Sequence, residues 1–248
     1  MKSMLVFPVG TTEATGYAAS ILHRNGISLI DHPSPEITHL LLDIPSFTTE
    51  GNLRGGESLP SVLERLPETI TVIGGNLDHP ALHGYHTLDL LTKESYLAQN
   101  AAITADCALR VAAPLLNTTF RDTPTLVIGW GRIGKCLAQL LKGLGTPVCI
   151  AARKEKDRAA LQSLGYSTSG MDADPGEYRL IFNTVPEIVF PETIEKCRNC
   201  VKIDLASRNG LPGADVIRAR GLPGVMAPES SGNLIAQTIL HSIREELL

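Results

Sequence analysis

One glycine-rich turn constrains the fold of this chain more than any other part of its sequence. Residues 125–134 read TLVIGWGRIG, an apolar run that breaks into glycines with the spacing G-x-G-x-x-G. A continuous apolar run of this kind is typical of a parallel strand that is buried on both faces. The segment that follows has one apolar helical face, made of Ile133, Leu137, Leu140, Leu141 and Leu144. A strand, this glycine spacing and a helix in that order predict a dinucleotide-binding turn.

Each glycine of the turn has a separate role in that prediction. Gly129 permits the tight turn, Gly131 lets the backbone approach a pyrophosphate, and Gly134 lets the helix pack close to the strand. The free N–H groups at the start of the helix then face the phosphates. The alternative is a glycine turn with a structural role alone. The residues of this turn that we expect to contact the cofactor are Gly129, Trp130, Gly131, Arg132, Ile133 and Gly134.

The end of the next predicted strand, residues 147–152, distinguishes between the two nicotinamide dinucleotides. An NAD site carries Asp or Glu there to accept the ribose 2′-hydroxyl, whereas this chain has Ala152, Arg153 and Lys154. A guanidinium can bind a 2′-phosphate with two hydrogen bonds, and a carboxylate would repel it. The sequence therefore predicts NADP, with Arg132 as a further candidate for the same phosphate. The alternative is an exposed basic pair, which is unfavourable at the start of a helix because of the helix dipole.

The order of the predicted elements indicates an α/β fold with two domains. We expect a doubly wound parallel sheet, of the Rossmann type, beside a smaller N-terminal α/β domain. The predicted domains are an N-terminal domain with a linking helix at 1–120, a nucleotide-binding domain at 121–229, and a helix at 230–248 that packs back on the first domain.

Individual elements follow from the periodicity of the apolar residues. The first domain has predicted strands at 4–9, 27–31, 39–44 and 69–73, and predicted helices at 13–25, 57–66 and 93–116. The second has predicted strands at 125–129, 147–152, 180–185, 201–206 and 215–219, with helices at 133–144, 154–164 and 191–197. About eight residues separate the last two strands, so we expect that connection to lack the usual crossover helix.

Composition narrows the classes of function. The chain has 248 residues, a net charge of −4 and 43% hydrophobic residues, which fits a soluble globular protein with no general attraction to nucleic acid or anionic membranes. It has no apolar stretch of the roughly 20 residues that span a bilayer, so we expect a cytoplasmic protein.

Two groups of residues have the types but not the context of a metal site. Cys197 and Cys200 have CxxC spacing, but a second such pair and a nearby histidine are missing, so we interpret them as ordinary thiols. His79, His83 and His86 lie with Asp78 in a segment that we expect to be a loop. We predict no metal.

Several segments together resemble the A subunit family of dipicolinate synthase. They are GWGRIG, AARKEKDRAALQSLGY, IFNTVP, IDLASR and GLPGVMAPESSGNLIAQTIL, and the resemblance covers about residues 97–248. It extends weakly to YLAQNAAITADCAL, where Asn100 and Thr104 match positions of the family's linking helix. The chain departs from the family in its shorter N-terminal part, in the compressed segment between Arg208 and Gly221, and at Arg220, where the family tends to have proline.

The resemblance implies oxidation of a dihydropyridine dicarboxylate to dipicolinate, with NADP as hydride acceptor. It also implies a role in dipicolinic acid biosynthesis during sporulation, and a protein partner in the form of a second, B-type subunit. We further expect a small dicarboxylate substrate and assembly with copies of the same chain. The catalytic candidates are Ser207, Arg208, Thr104 and Asn100.

Further site residues are expected where parallel strands end, because ligands bind at that edge of such sheets. The candidates for the cofactor are Asn183, Thr184, Val185, Pro186, Leu205 and Ala206, and Glu229, Ser230 and Ser231 are candidates for a substrate anion. Alternatives remain open for each group. The 183–186 segment can simply shape its loop, Arg208 can be a solvated charge, and a serine can be an N-cap.

Two other functions fit the same predicted fold. A 2-hydroxyacid dehydrogenase would need a histidine as general acid, and the sequence has no histidine between His86 and His241. A protein that binds NADP only to regulate a partner would need no catalytic group at all.

Overall fold

The computed structural model describes residues 4–190 and 192–245. Its contacts divide the chain into two compact units, of which the second is Ala101–Leu222 and the first comprises the residues before and after it. The chain leaves the first unit inside helix α3, Glu94–Ala112, and returns at the start of α6, Leu222–Met226. The first boundary between the two units therefore lies within α3, before residue 120. The part of this helix up to Asn100 belongs to the first unit, and the part from Ala101 belongs to the second.

The first unit contains a parallel sheet of five strands in the order β2-β1-β3-β4-β5. The strands are β1 Leu5–Pro8, β2 Ser28–Leu29, β3 His39–Leu41, β4 Thr71–Gly74 and β5 His86–Asp89. Its other helices are α1 Glu13–Arg24, α2 Leu59–Leu63 and α7 Pro228–Glu245. Helix α7 packs along α1, and its apolar positions Leu234, Ile235 and Ile239 are buried. Residues 246–248 of the predicted C-terminal helix lie outside the described residues.

The histidine-containing segment differs from the predicted loop. Residues Pro80–Leu82 form a short 3₁₀ helix, and His86 is the first residue of β5, which pairs in parallel with β4. The sequence pattern does not predict this strand because it starts with two exposed residues, His86 and Thr87, and so lacks the apolar alternation that identifies a strand. His79 stacks on Phe47 with ring centroids 4.9 Å apart.

The second unit is built on a parallel sheet of six strands in the order β11-β10-β9-β6-β7-β8. The strands are β6 Thr125–Ile128, β7 Val148–Ala151, β8 Ser167–Ser169, β9 Leu180–Asn183, β10 Val201–Asp204 and β11 Ile217–Arg218. The main helices are α4 Arg132–Gly143 and α5 Glu155–Ser163. Strand β6 lies between β9 and β7 and is buried throughout, as its apolar run predicted. The predicted doubly wound parallel α/β fold is confirmed.

Two details of the second unit differ from the sequence prediction, and a third agrees with it. Strand β8 escapes prediction because its sequence, STS, has no apolar residue. The predicted helix at 191–197 is a single 3₁₀ turn, Ile194–Lys196, and residue 191 lies outside the described residues. The connection from β10 to β11 contains no helix, as its length predicted.

None of the helices formed by the described residues combines the length and the apolar character needed to cross a membrane.

Candidate dinucleotide-binding site

The glycine turn has the geometry that its sequence predicted. Gly129 follows β6 with a φ of 102°, a left-handed conformation that glycine adopts without strain. A Cβ on Gly134 would clash with the carbonyl oxygen of Gly129, so helix α4 can approach the strand this closely only with glycine there. A Cβ on Gly131, by contrast, would have no heavy atom within 4 Å. The space in front of Gly131 is open, so a phosphate group fits against this backbone and against the first N–H groups of α4.

Asn183 and Thr184 support this turn from the neighbouring strand end. The backbone N–H and the hydroxyl of Thr184 both donate to the carbonyl of Ile128, each at 2.9 Å. The buried side chain of Asn183 donates to the carbonyl of Val185 at 2.9 Å and accepts from the N–H of the same residue at 3.0 Å. Asn183 thus shapes its own loop and Thr184 ties that loop to the end of β6, and both contacts correspond to the structural alternative for this segment.

A cavity of about 550 Å³ lies at the carboxyl ends of β6, β7 and β9, entirely within the second unit. Seven of its lining residues are predicted cofactor residues, namely Gly129, Trp130, Ala152, Arg153, Lys154, Val185 and Pro186. The other predicted cofactor residues lie outside the lining, namely Gly131, Arg132, Ile133, Gly134, Asn183, Thr184, Leu205 and Ala206. Lining residues that sequence reasoning missed are Ala151, Asp157, Met171, Glu187, Ile188, Val189 and Phe190. The lining thus combines apolar side chains with charged groups of both signs.

The basic part of the lining is organised by a residue that the sequence analysis does not single out. Arg158, on α5, donates from Nη1 to the carbonyl oxygens of Ala152 and Arg153, both at 2.8 Å. These two bonds fix the backbone of the turn that carries Arg153 and Lys154. The basic residues of the segment AARKEKDR indicate that cations lie near this turn. Only the structure shows that the side chain of Arg158 reaches back to the carbonyl of Arg153, five residues earlier.

The side chain of Arg153 has an acidic partner in the cavity wall. Its Nη1 lies 3.7 Å from Oε2 of Glu187, and the two side chains are 75% and 72% exposed. Solvent therefore reaches both groups, and the pair is accessible to a ligand in the cavity.

The end of β10 is held by a buried carboxylate. Asp204 Oδ2 accepts from the N–H of Gly210 at 2.8 Å and from Nη1 of Arg218 at 2.6 Å. Its Oδ1 accepts from the Asn183 amide at 2.8 Å. Burial opposes ionisation of Asp204, but these hydrogen bonds outweigh it and hold its pKa below the usual value. Asp204 therefore stays charged and closes the loop that follows β10.

That loop presents the two catalytic candidates Ser207 and Arg208 to solvent. Arg220 braces it, donating to the carbonyl of Ala206 at 3.0 Å and to Oδ1 of Asn209 at 2.6 Å. Within the described part of the chain the guanidinium of Arg208 has no hydrogen-bond partner. A loop with a fixed backbone and an exposed arginine side chain such as Arg208 is suited to bind an anion. In the sequence, these contacts were indicated only by Arg220 itself, which stands where the dipicolinate synthase A-subunit family tends to have proline.

The remaining candidates lie on helices. Asn100 and Thr104 are one turn apart on α3, Asn100 in the first unit and Thr104 in the second. Ser230 and Ser231 lie in the first turn of α7, which begins at Pro228, so neither is its N-cap. That alternative for the serines is wrong, because the helix begins earlier than its apolar pattern indicated.

The cysteine pair has the properties of buried thiols. All five cysteines are free, and burial, followed by the nearby Cys197 thiol, raises the pKa of Cys200 to about 12. A thiol that stays protonated is a poor nucleophile and a poor metal ligand. Across residues 4–190 and 192–245, His, Cys, Asp and Glu side chains form no group of three that could hold a metal ion.

The doubly wound sheet, the glycine turn and the cavity at the strand ends together define a Rossmann-type nucleotide-binding protein. No family model matches the chain. The chain is 23% identical over 237 residues to the A subunit of dipicolinate synthase from Bacillus subtilis (strain 168), a match that covers 86% of this chain and 80% of that protein. The predicted resemblance to that family is confirmed.

Two solved structures show how far the likeness of fold extends. The crystal structure of the dipicolinate synthase A subunit from Bacillus halodurans matches with a TM-score of 0.81 at 18% identity, covering 97% of this chain and 98% of that one. The transhydrogenase from Sinorhizobium meliloti matches with a TM-score of 0.72 at 14% identity, covering 98% of this chain and 85% of that one. At these identities the structures establish the shared fold.

Proposed function

We propose that this protein is an NADP-dependent oxidoreductase that takes a hydride from a dihydrodipicolinate-type cyclic dicarboxylate, as its similarity to the A subunit of dipicolinate synthase suggests. The observation that carries the proposal is Arg153 in the wall of the cavity beside the glycine turn. An NAD site has a carboxylate at that strand end.

The residues around the cavity and the glycine turn provide contacts for the pyrophosphate and the adenosine 2′-phosphate half of the cofactor. The N–H groups at the start of α4 and the open backbone of Gly131 hold the pyrophosphate. Arg153 and Lys154 hold the 2′-phosphate, since a guanidinium binds phosphate with two parallel hydrogen bonds. The apolar part of the wall, with Met171, Val189 and Phe190, receives the adenine. Bound NADP supplies the hydride acceptor.

The substrate requires little more than orientation. Oxidation to the aromatic ring removes one hydride, which passes to NADP, and one proton, which passes to solvent or to a base. Aromatisation supplies the driving force, so the protein has to position the ring and bind two carboxylates. Arg208 binds one carboxylate with its free guanidinium, and Ser207, Asn100 and Thr104 are the proposed further contacts. The proposed protein partners are a second copy of this chain and a B-type subunit.

A 2-hydroxyacid dehydrogenase is the rival enzyme. Reduction of a keto acid needs a general acid, usually a histidine that a carboxylate orients. The second unit contains no histidine at all, and His241 on α7 is an exposed side chain 3.2 Å from Glu245. This distribution of histidines favours the aromatising reaction.

The deciding assay generates the dihydropyridine dicarboxylate enzymatically in the presence of the protein and NADP, with and without a B-type subunit. We expect NADPH and the pyridine dicarboxylate to form together. If neither forms with the partner present while a 2-keto acid oxidises NADPH, the hydroxyacid dehydrogenase replaces this proposal. If NADPH binds but no substrate turns over, a regulatory NADP-binding protein replaces it.

A further inference from the structure

The wall of the cavity carries a carboxylate beside the cation that is proposed to select the cofactor. Glu187 follows Pro186 in the loop after β9, and its Oε2 lies 3.7 Å from Nη1 of Arg153. Both residues line the same cavity. We propose that Glu187 is a specificity-determining residue, which pairs with Arg153 and so limits the preference of this site for NADP over NAD.

The backbone around Arg153 is held in place, so only the side chain of Arg153 can change its partner. Arg158 holds the carbonyl oxygens of Ala152 and Arg153 from behind, at 2.8 Å each. The guanidinium of Arg153, three-quarters exposed, is therefore presented from a fixed turn. Its Nη1 lies 3.7 Å from Oε2 of Glu187, so a 2′-phosphate has to compete with that carboxylate for the guanidinium.

The carboxylate of Glu187 should affect the binding of NADP and the binding of NAD differently. A 2′-phosphate adds close to two negative charges beside Glu187, and the two anions compete for one guanidinium. The ribose 2′-hydroxyl of NAD is a donor and can bond to Glu187 while Arg153 remains paired. The charged lining residues are Arg153, Lys154, Asp157 and Glu187, so the wall has no excess of positive charge to offset the cost for NADP.

The inference rests on the proposed function, because it assumes that Arg153 binds the 2′-phosphate. Exposed ion pairs contribute little, and their loss changes an affinity by about two- to fivefold. We therefore expect Glu187→Gln to tighten NADPH binding by about that factor and to leave NADH binding unchanged or weaker, as measured by calorimetry.

A matched variant separates pairing from overall charge. Asp157→Asn removes the same charge from the same wall, and in the described structure Asp157 is not paired with Arg153. Its effect on NADPH affinity should be smaller than that of Glu187→Gln. Equal effects of the two variants would overturn the proposal, because Glu187 would then act only through the general field of the cavity.

A double variant tests whether the effect runs through Arg153. In an Arg153→Ala background, Glu187→Gln should no longer tighten NADPH binding selectively. The same gain in that background would contradict competition for the guanidinium. Failure of the NADP assignment has its own signature, in which the unmutated protein binds NADPH and NADH equally and Arg153→Ala changes neither affinity, and this result would overturn both proposals.

Discussion

The guanidinium of Arg218 on β11 donates from Nη1 to the buried carboxylate of Asp204 at the end of β10, over 2.6 Å. The same guanidinium donates from Nη2 to the carbonyl of Leu211 at 2.6 Å. One arginine thus ties an edge strand to both ends of the loop that presents Ser207 and Arg208. The shape of the proposed substrate loop therefore depends on a charge pair formed by residues other than Ser207 and Arg208.

Loss of this charge pair should destabilise the second unit. Asp204→Asn leaves Arg218 without its counter-ion, and breaking a largely buried pair costs about 3 kcal/mol. Urea unfolding at neutral pH measures the loss. Asp172→Asn, an exposed control in the same unit, should change stability by under about 0.5 kcal/mol.

The same carboxylate makes stability depend on pH. Its folded-state pKa lies below the ordinary value of 3.8, so the unfolded chain takes up the proton first as pH falls. The contribution of Asp204 is therefore complete above that value and is lost as pH falls through the lower folded-state pKa. Unfolding curves recorded from neutral pH down into this range should show a smaller acid dependence for Asp204→Asn than for the unmutated protein. Equal acid dependence would contradict the assignment.

The two later glycines of the turn should respond differently to alanine. Gly131→Ala meets open space, so the fold should tolerate it with a change of less than about 1 kcal/mol, while the new methyl group blocks the pyrophosphate. Gly134→Ala places a Cβ against the backbone oxygen of Gly129 and should cost about 1–3 kcal/mol. Thermal unfolding and NADPH calorimetry on both variants check the contrast, and a Gly131→Ala protein that keeps full affinity would exclude the pyrophosphate from this position.

Arg153→Ala should remove most of the preference for NADPH. We expect about a tenfold loss of NADPH affinity, at the lower end for a charge-assisted hydrogen bond because this side chain is exposed. NADH affinity should change far less. Lys156→Ala, an exposed cation outside the cavity lining, is the control that should leave both affinities unaltered.

Arg208→Ala should weaken use of the dicarboxylate and spare the cofactor. Loss of a hydrogen bond to a carboxylate lowers kcat/KM by roughly ten- to a hundredfold, whereas calorimetry should find NADPH binding intact. Arg198→Ala removes another exposed cation from the same unit and should not affect turnover. A fall in NADPH affinity with Arg208→Ala would instead place this residue at the cofactor.

A second buried charge, that of Lys202, tests how much its ion pair contributes to stability. The side chain of Lys202 is 1% exposed, and its Nζ lies 2.7 Å from Asp215, which is 58% exposed. Lys202→Met replaces the buried charge with an apolar side chain and should be neutral or stabilising, whereas Asp215→Ala leaves the ammonium without its partner and should cost about 1–3 kcal/mol. Chemical denaturation of both variants measures the difference, and equal losses would show that the two residues contribute in the same way.

The sequence by itself determined the central strand, the glycine turn and the helix after it. Each of these elements depends on residues that are close together in the sequence. An apolar run predicts a strand that is buried on both faces, and the spacing of the glycines predicts the close approach of helix and strand at Gly134. From that unit, and from the alternation of strands and helices, the parallel doubly wound sheet follows. The strands that were missed, β5 and β8, are short edge strands with few apolar residues, so their sequences carry no periodic signal.

Only the tertiary structure decided which charged and polar side chains meet. Arg153 and Glu187, Asp204 and Arg218, and Asn183 and Asp204 lie on different strand ends, and the last two pairs are separated by 14 and 21 residues in sequence. Local spacing places a residue on an element but does not fix which strand becomes its neighbour. The sheet order brings β9 between β6 and β10, so groups from distant segments come within hydrogen-bonding distance. Their interaction depends on that order because a hydrogen bond needs a short donor–acceptor distance and the energy between two charges falls as their separation grows.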